Sequence, residues 1–293
     1  MAAEPTTTPA TAAGTVTLGD LTVNRMGFGA MRLTGSGVWG DPDDREDAKA
    51  VLRRALELGV NLIDTAASYG PQVNEELIAE TLHPYPGGLV IATKGGLTRP
   101  GPGRWQPDGR PETLRESLEG SLRRLRLQRI DLYQLHSVDP RVPLEESVGT
   151  LADLQREGKI RHVGLSNVDT RQLAAAREIV PVVSVQNRYN VGDRHSEGVL
   201  DASERAGIAF LPWFPLGLGQ LAASTGRLAH IARSHGATPA QVALAWLLRR
   251  SPAMTPIPGT SSLAHLEEDV GAAELELTDL EFAELSRASA SSL

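Results

Sequence analysis

The sequence predicts a (β/α)8 TIM barrel, α/β in class. Eight short apolar runs alternate with eight amphipathic stretches, the units are of even length, and no break in composition divides the 293 residues. Parallel strands covered on both faces read as solid apolar runs, as Leu62-Ile63, Leu89-Val90-Ile91 and Val182-Val183 do. An open doubly wound sheet shares this alternation and is the competing architecture.

The elements follow in order. Residues 1–14 are rich in Ala, Thr and Pro and read as a disordered N-terminal tail, leaving 15–293 as one barrel domain. Residues 15–25 alternate around Gly19-Asp20, the pattern of a short β-hairpin ahead of the barrel. Strands are predicted at 25–29, 61–65, 89–94, 130–136, 160–166, 182–187, 208–213 and 254–258. The helices between and after them are predicted at 45–58, 74–82, 111–127, 144–157, 170–179, 196–206, 239–250 and 262–274. An inserted helix at 221–235 and a C-terminal helix at 277–287 complete the pattern.

Composition excludes several classes of function. There is no cysteine, so disulfides, thiolate catalysis and Cys-ligated metals are out. The net charge is −7, with no basic block, which argues against nucleic acid as a partner. No apolar run approaches the roughly 20 residues of a membrane span, and 1–14 lacks the basic and apolar regions of a signal peptide. The expected address is the cytoplasm. His230 and His235 have no further ligand at metal spacing, so no metal is expected. The cluster Arg123, Arg124, Arg126 and Arg129 reads as a solvated face. Amphipathic outer helices look alike with or without a subunit neighbour, so no oligomeric state is assigned.

Barrel enzymes place their chemistry at the C-terminal ends of the strands. There the chain carries Asp64 with Tyr69 five residues on, then Lys94, then His136. Taken singly, each has an ordinary explanation as a rim ion, a packing ring or a hydrogen-bonded histidine. Together they suit carbonyl reduction, in which carbon takes a hydride and oxygen takes a proton. A free tyrosine, with a pKa near about 10, is a weak acid at neutral pH. A neighbouring ammonium such as Lys94 lowers that value. A buried lysine needs a counter-charge such as Asp64. A neutral His136 can donate to the substrate oxygen.

At these residues the sequence resembles the aldo-keto reductase superfamily, from Gly27-Phe28-Gly29-Ala30-Met31 to Leu263-Ala264-His265-Leu266-Glu267-Glu268. The resemblance implies a catalytic tetrad of Asp64, Tyr69, Lys94 and His136. Gly164-Leu165-Ser166-Asn167 and Val185-Gln186-Asn187 match further segments. It implies that Ser166, Asn167 and Gln186 bond the nicotinamide carboxamide and that Trp213 stacks on the ring. Gly29, Ala30 and Met31, then Pro215, Leu216 and Gly217, would border the cofactor. Gly259, Thr260, Ser261, His265, Glu268 and Asp269 would meet its adenosine phosphate end. Many members carry a lysine where this chain has Gly259 and an arginine where it has His265, so both cations are missing. NADPH remains the expected cofactor, with His265 and Ser261 toward the 2′-phosphate; NADH is not excluded.

Gly35-Ser36-Gly37-Val38-Trp39-Gly40 spells G-x-G-x-x-G but is not read as a Rossmann site. Asp41, Asp43, Asp44 and Glu46 follow it, where a pyrophosphate would be repelled. It reads instead as a mobile loop over the site, with Trp39 as a substrate wall. Trp105, Tyr69, His136 and Asn187 are the other expected substrate contacts, with Arg188 an alternative to Asn187. Within the superfamily the segments around Trp39, Trp213, Trp246 and 258–268 are most similar to bacterial pyridoxal reductases, which implies reduction of pyridoxal to pyridoxine. A cofactor-binding redox sensor resembling channel β-subunits, with little turnover, is the rival reading.

Overall fold

The computed structural model describes residues 8–288 and Leu293. Two strands, β1 (Thr15–Leu18) and β2 (Leu21–Asn24), pair antiparallel as the expected hairpin. The barrel strands are β3 (Phe28–Gly29), β4 (Leu62–Asp64), β5 (Val90–Gly95), β8 (Ile130–Leu135), β9 (Ile160–Ser166), β10 (Val182–Gln186) and β11 (Ala209–Phe210). They pair in parallel in chain order, with β3 at one edge and β11 at the other.

The predicted eighth strand at 254–258 forms no regular ladder, yet it closes the barrel. Phe210 N donates to Ala253 O at 2.8 Å and Thr255 N to Phe210 O at 2.8 Å on one side. Gly27 N donates to Pro256 O at 2.9 Å and Gly29 N to Pro258 O at 3.0 Å on the other. Pro256 and Pro258 have no N–H to give, so the segment mostly accepts and its ladder stays broken.

Helices α1 (Arg45–Glu57), α2 (Val73–Leu82), α3 (Pro111–Leu125), α4 (Leu144–Arg156), α5 (Thr170–Arg177), α6 (Glu197–Arg205), α8 (Pro239–Arg250) and α9 (Leu263–Gly271) follow the successive strands. Their starts are chemically marked. Asp44 caps α1 by accepting from Glu46 N and Asp47 N, while Asp169 and Thr238 form capping boxes on α5 and α8. The inserted helix α7 spans Arg227–Ser234, six residues shorter at its N-terminus than expected; 221–226 is a turn segment instead. α10 (Asp279–Arg287) is the C-terminal helix. Between β5 and α3 the chain makes an unpredicted hairpin, β6 (Leu97–Gly101) with β7 (Arg104–Pro107). Among the described residues no helix is long and apolar enough to cross a membrane.

Two apolar layers result. Leu62, Val90, Ala92, Leu132, Ala209, Leu211 and Ile257 fill the barrel interior, and Leu18 and Val23 of the β1–β2 hairpin plug it. A larger layer lies between strands and helices. The expected tail is corrected in part. Residues 1–7 lie outside the described ones, but Pro9–Ala13 form a 3-10 helix whose Ala10 is fully buried and donates its N–H to Leu58 O at 3.0 Å. Proline at the first helical position presets the turn, and alanine is small enough to lie against α1.

Candidate active site

Strand periodicity assembles the site. Side chains two apart share a face, so Leu132, Gln134 and His136 rise through the barrel in successive layers, as Leu62 and Asp64 do, and Ala92 and Lys94. Gly164 keeps this layer open: a Cβ there would lie 2.2 Å from Ser184 Oγ and 2.9 Å from Gln134 Cγ. Above lies a cavity of about 960 Å3 that reaches Asp64, Tyr69, His136, Ser166, Gln186 and Trp213.

Lys94 sits under its floor, fully buried. Its three N–H bonds go to Asp64 Oδ2 at 2.6 Å, Thr65 O at 2.9 Å and Tyr69 Oη at 3.4 Å. Asp64 Oδ1 accepts from Gln134 Nε2 at 3.1 Å and Gln186 Nε2 at 2.8 Å. The ammonium and both Asp64 oxygens are therefore engaged, while Gln134 Oε1 is buried without a partner. Burial works against the Lys94 charge, but Asp64 and then Tyr69 outweigh it and hold the amine above the ordinary lysine range.

The expectation for Tyr69 needs correcting. Burial pushes its phenol above the usual tyrosine value; Lys94 pulls it down, but Asp64 adds to the upward push. Lys94 thus limits the rise without reversing it, and Tyr69 rests as the neutral, proton-bearing phenol. His136 is held well below the usual histidine range by burial first, then by the charges of Lys94 and Arg99, which makes it the neutral imidazole that was expected. Its Nδ1 lies 3.4 Å from Ser68 Oγ, and its ring meets Tyr69 edge-on at 5.8 Å. The turn carrying Tyr69 is anchored through Asn74, which accepts from Thr65 Oγ1 at 2.6 Å and donates to Ala30 O at 2.8 Å.

Among the residues expected at the nicotinamide, Gln186 spends its N–H on Asp64 and keeps its oxygen for a ligand. Ser166 accepts from Asn167 Nδ2 at 3.1 Å, so its hydroxyl proton is free to be donated. Asn167 lines the cavity, but its amide is used within the protein: Nδ2 also donates to His136 O at 2.9 Å, and Oδ1 accepts from Trp213 Nε1 at 3.1 Å. Asn167 holds the Trp213 indole, and its Oδ1 keeps a second lone pair beside the cavity.

At the far end of the cavity lie Gly259, Thr260, His265, Glu268 and Asp269. Gly259 crosses Gly29 so closely that a Cβ at 259 would be 2.3 Å from Gly29 O. A lysine at 259 would therefore require this backbone crossing to open. Glu268 accepts from Thr238 Oγ1 at 2.6 Å. Burial, then Glu268, pushes the Asp269 carboxyl up to about 7.

Six expected contacts lie off the wall, among them Arg188, which pairs with Asp193 at 2.8 Å. Ala30 is fully buried, with its carbonyl accepting from Asn74 and Leu33 N. Asn187 is closed into a loop by bonds to Val168 N at 3.1 Å and Val168 O at 2.7 Å. Gly217 and Ser261 do not border the cavity, whereas Met31, Pro215, Leu216 and Trp105 do. Trp39 is not on the wall either. Val38 takes that place, while the Trp39 ring packs toward Arg99 at 5.5 Å. Nor is the 35–40 loop free: Gly40 N donates to Gly70 O at 2.6 Å and Gly70 N to Val38 O at 3.4 Å.

Sequence reasoning missed Gln134, Arg32, Leu97 and, in the segment after β11, Leu218, Gly219, Ala222 and Ala223. Gln134 was detectable as the one uncharged polar amide in the run Ile-Asp-Leu-Tyr-Gln-Leu. Ala222 and Ala223 were hidden by extending the inserted helix back to 221, and Leu218 and Gly219 lie in or beside a short 3-10 turn ahead of it.

Residues 25–290 match the profile of the aldo/keto reductase family. The chain is 46% identical over 271 residues to pyridoxine 4-dehydrogenase of Escherichia coli, covering 90% of this chain and 94% of that one. It is similar to the solved glycerol dehydrogenase of Gluconobacter oxydans, with a TM-score of 0.85, 28% identity and 94% of each chain covered. It is also similar to an aldo-keto reductase of Klebsiella pneumoniae solved with NADPH, with a TM-score of 0.76, 26% identity and 91% of each chain covered.

Proposed function

The chain belongs to the aldo/keto reductase family, and on that premise we propose that it is an NADPH-dependent reductase that turns pyridoxal, among other aldehydes, into the alcohol, with Tyr69 as proton donor. The residues present suit the cofactor. A long cavity runs from the tetrad to the start of α9, with the Gln186 oxygen and the Ser166 hydroxyl available at one end and Thr260 and His265 at the other. Arg32, also on the wall, adds a positive charge. When bound, NADPH supplies the hydride to the carbonyl carbon.

The observation that carries this reading is the buried Tyr69 phenol, 3.4 Å from Lys94 Nζ. His136 is neutral and aligns a carbonyl oxygen toward Tyr69 by donating to it. As charge grows on that oxygen, Tyr69 releases its proton to it. The phenolate left behind faces an ammonium, so charge moves toward Lys94 rather than into empty low-dielectric space. Solvent then returns a proton to Tyr69. The wall beside Tyr69, formed by Met31, Val38, Leu97 and Trp105, is apolar and suits a flat ring.

Support for pyridoxal comes from the likeness to pyridoxine 4-dehydrogenase. The test is NADPH oxidation with pyridoxal beside an aldehyde panel. Turnover of pyridoxal is expected. Turnover of other aldehydes but not of pyridoxal would remove the substrate and leave the reductase. NADPH binding without any turnover would instead favour a redox sensor.

A further inference from the structure

Arg99 does not line the cavity, yet it touches three of the segments that build the substrate side of it. It lies in β6, on the hairpin inserted after the strand of Lys94. Its Nη1 donates to Val38 O at 2.8 Å and Ser68 O at 3.0 Å, its Nη2 to Gly37 O at 2.9 Å, and its Nε to Arg104 O at 3.0 Å. Three separate stretches of chain are thus tied to one guanidinium: the 35–40 loop, the turn that carries Tyr69, and the second strand of the hairpin. The guanidinium also stacks on the Trp105 ring at 3.7 Å, with Trp39 at 5.5 Å. Among the described residues no carboxylate pairs with Arg99, so its donors go to carbonyls and its faces to indoles.

What Arg99 holds is chemically exposed. Trp105 meets the Tyr69 ring edge-on at 6.2 Å and the His136 ring at 6.3 Å, with 39% of its surface still open. Val38 lines the cavity at φ 55, a left-handed conformation that a β-branched residue adopts only under constraint. The constraint is visible: the Val38 carbonyl accepts from both Arg99 and Gly70 N. Lysine cannot replace this arrangement, because a point charge lacks the flat fork that reaches several carbonyls and stacks on a ring at once.

We propose that Arg99 is a positioning residue for substrate selectivity: by fixing Trp105 and Val38 against Tyr69 it shapes a flat apolar wall that favours aromatic carbonyl substrates over small aliphatic ones. This rests on the carbonyl-reduction reading above.

The test compares wild type with Arg99→Ala, Arg99→Lys, Trp105→Ala and the Arg99→Ala/Trp105→Ala pair, on 4-nitrobenzaldehyde and on propanal, with NADPH binding followed by fluorescence. Arg99→Ala is expected to lower kcat/KM for 4-nitrobenzaldehyde about tenfold more than for propanal, a selectivity loss that general destabilisation would not produce. Arg99→Lys is expected to lose the same selectivity, and Trp105→Ala to reproduce it alone even if Arg99→Ala fails to fold. Adding Arg99→Ala to Trp105→Ala should cost little more, because residues acting through one contact are not additive. An unchanged ratio of kcat/KM for the two aldehydes in Arg99→Lys or Trp105→Ala, or full additivity in the pair, would overturn the proposal. Wild type that binds NADPH and reduces neither aldehyde would strike the carbonyl-reduction reading, and the proposal with it.

Discussion

The Lys94 ammonium lies 2.6 Å from Asp64 Oδ2, and both side chains are closed to solvent. The pair keeps a positive charge fixed beneath the Tyr69 phenol. Such a pair is costly to break, because the partner left behind is a buried charge without its counter-ion. Lys94→Met should lower unfolding stability by about 3 kcal/mol or more and abolish turnover. Lys94→Met with Asp64→Asn should be less destabilised than the two single losses added together. Urea unfolding midpoints of the three variants check this.

His136 supplies a pH signature. In the unfolded chain it titrates near the ordinary value of 6.5, whereas in the fold burial, Lys94 and Arg99 hold it well below that. Below 6.5 the unfolded state therefore binds the extra proton, and stability falls as pH drops; above 6.5 the group contributes no slope. His136→Asn should flatten that acid loss, as read from melting temperatures at pH 5 to 8. Activity profiles should show no acid limb near the ordinary histidine pKa that depends on this residue.

Asp269 acts in the opposite direction. Its carboxyl is raised from 3.8 to about 7, by burial and then Glu268. The folded state holds that proton where the unfolded state has lost it, so its stabilising effect is present below 3.8 and is lost as pH rises through about 7. Asp269→Asn should stabilise the protein at pH 8 by about 1–2 kcal/mol and change little at pH 4, since an amide carries no charge to desolvate. Chemical denaturation at the two pH values decides this.

The cavity end near α9 has His265 where a stronger cation would grip a phosphate. His265→Arg should tighten NADPH relative to NADH by about tenfold, through a bidentate charge-assisted bond to the 2′-phosphate. Fluorescence titration with both nucleotides measures it. An unchanged ratio would place the 2′-phosphate elsewhere.

Much of this site was legible because its chemistry follows strand ends. Asp64, Lys94, His136, Ser166 and Gln186 each sit at or just past the end of an apolar run, and period-two alternation brings them into one barrel mouth. What was hidden depends on bonds that the sequence does not display. Asn187 looks like a free amide at a strand end but is closed on Val168. Trp39 looks like a wall, but Arg99 and the Gly70 bridge turn its loop so that Val38 faces the cavity. The eighth strand read as an apolar run, yet its prolines leave it an acceptor segment between two edges. The sign of the Tyr69 shift also escaped, because burial, which a sequence does not state, outweighs the lysine charge.

The central claim is that the Tyr69 hydroxyl gives the proton. Tyr69→Phe removes only that oxygen, so the ring stays packed against His136 and Trp105. The decisive measurement is its NADPH-dependent aldehyde reduction beside its NADPH affinity. We expect turnover to fall by at least about a hundredfold, the scale of a lost general acid, while NADPH binds as it does to wild type. Turnover equal to wild type would contradict the assignment.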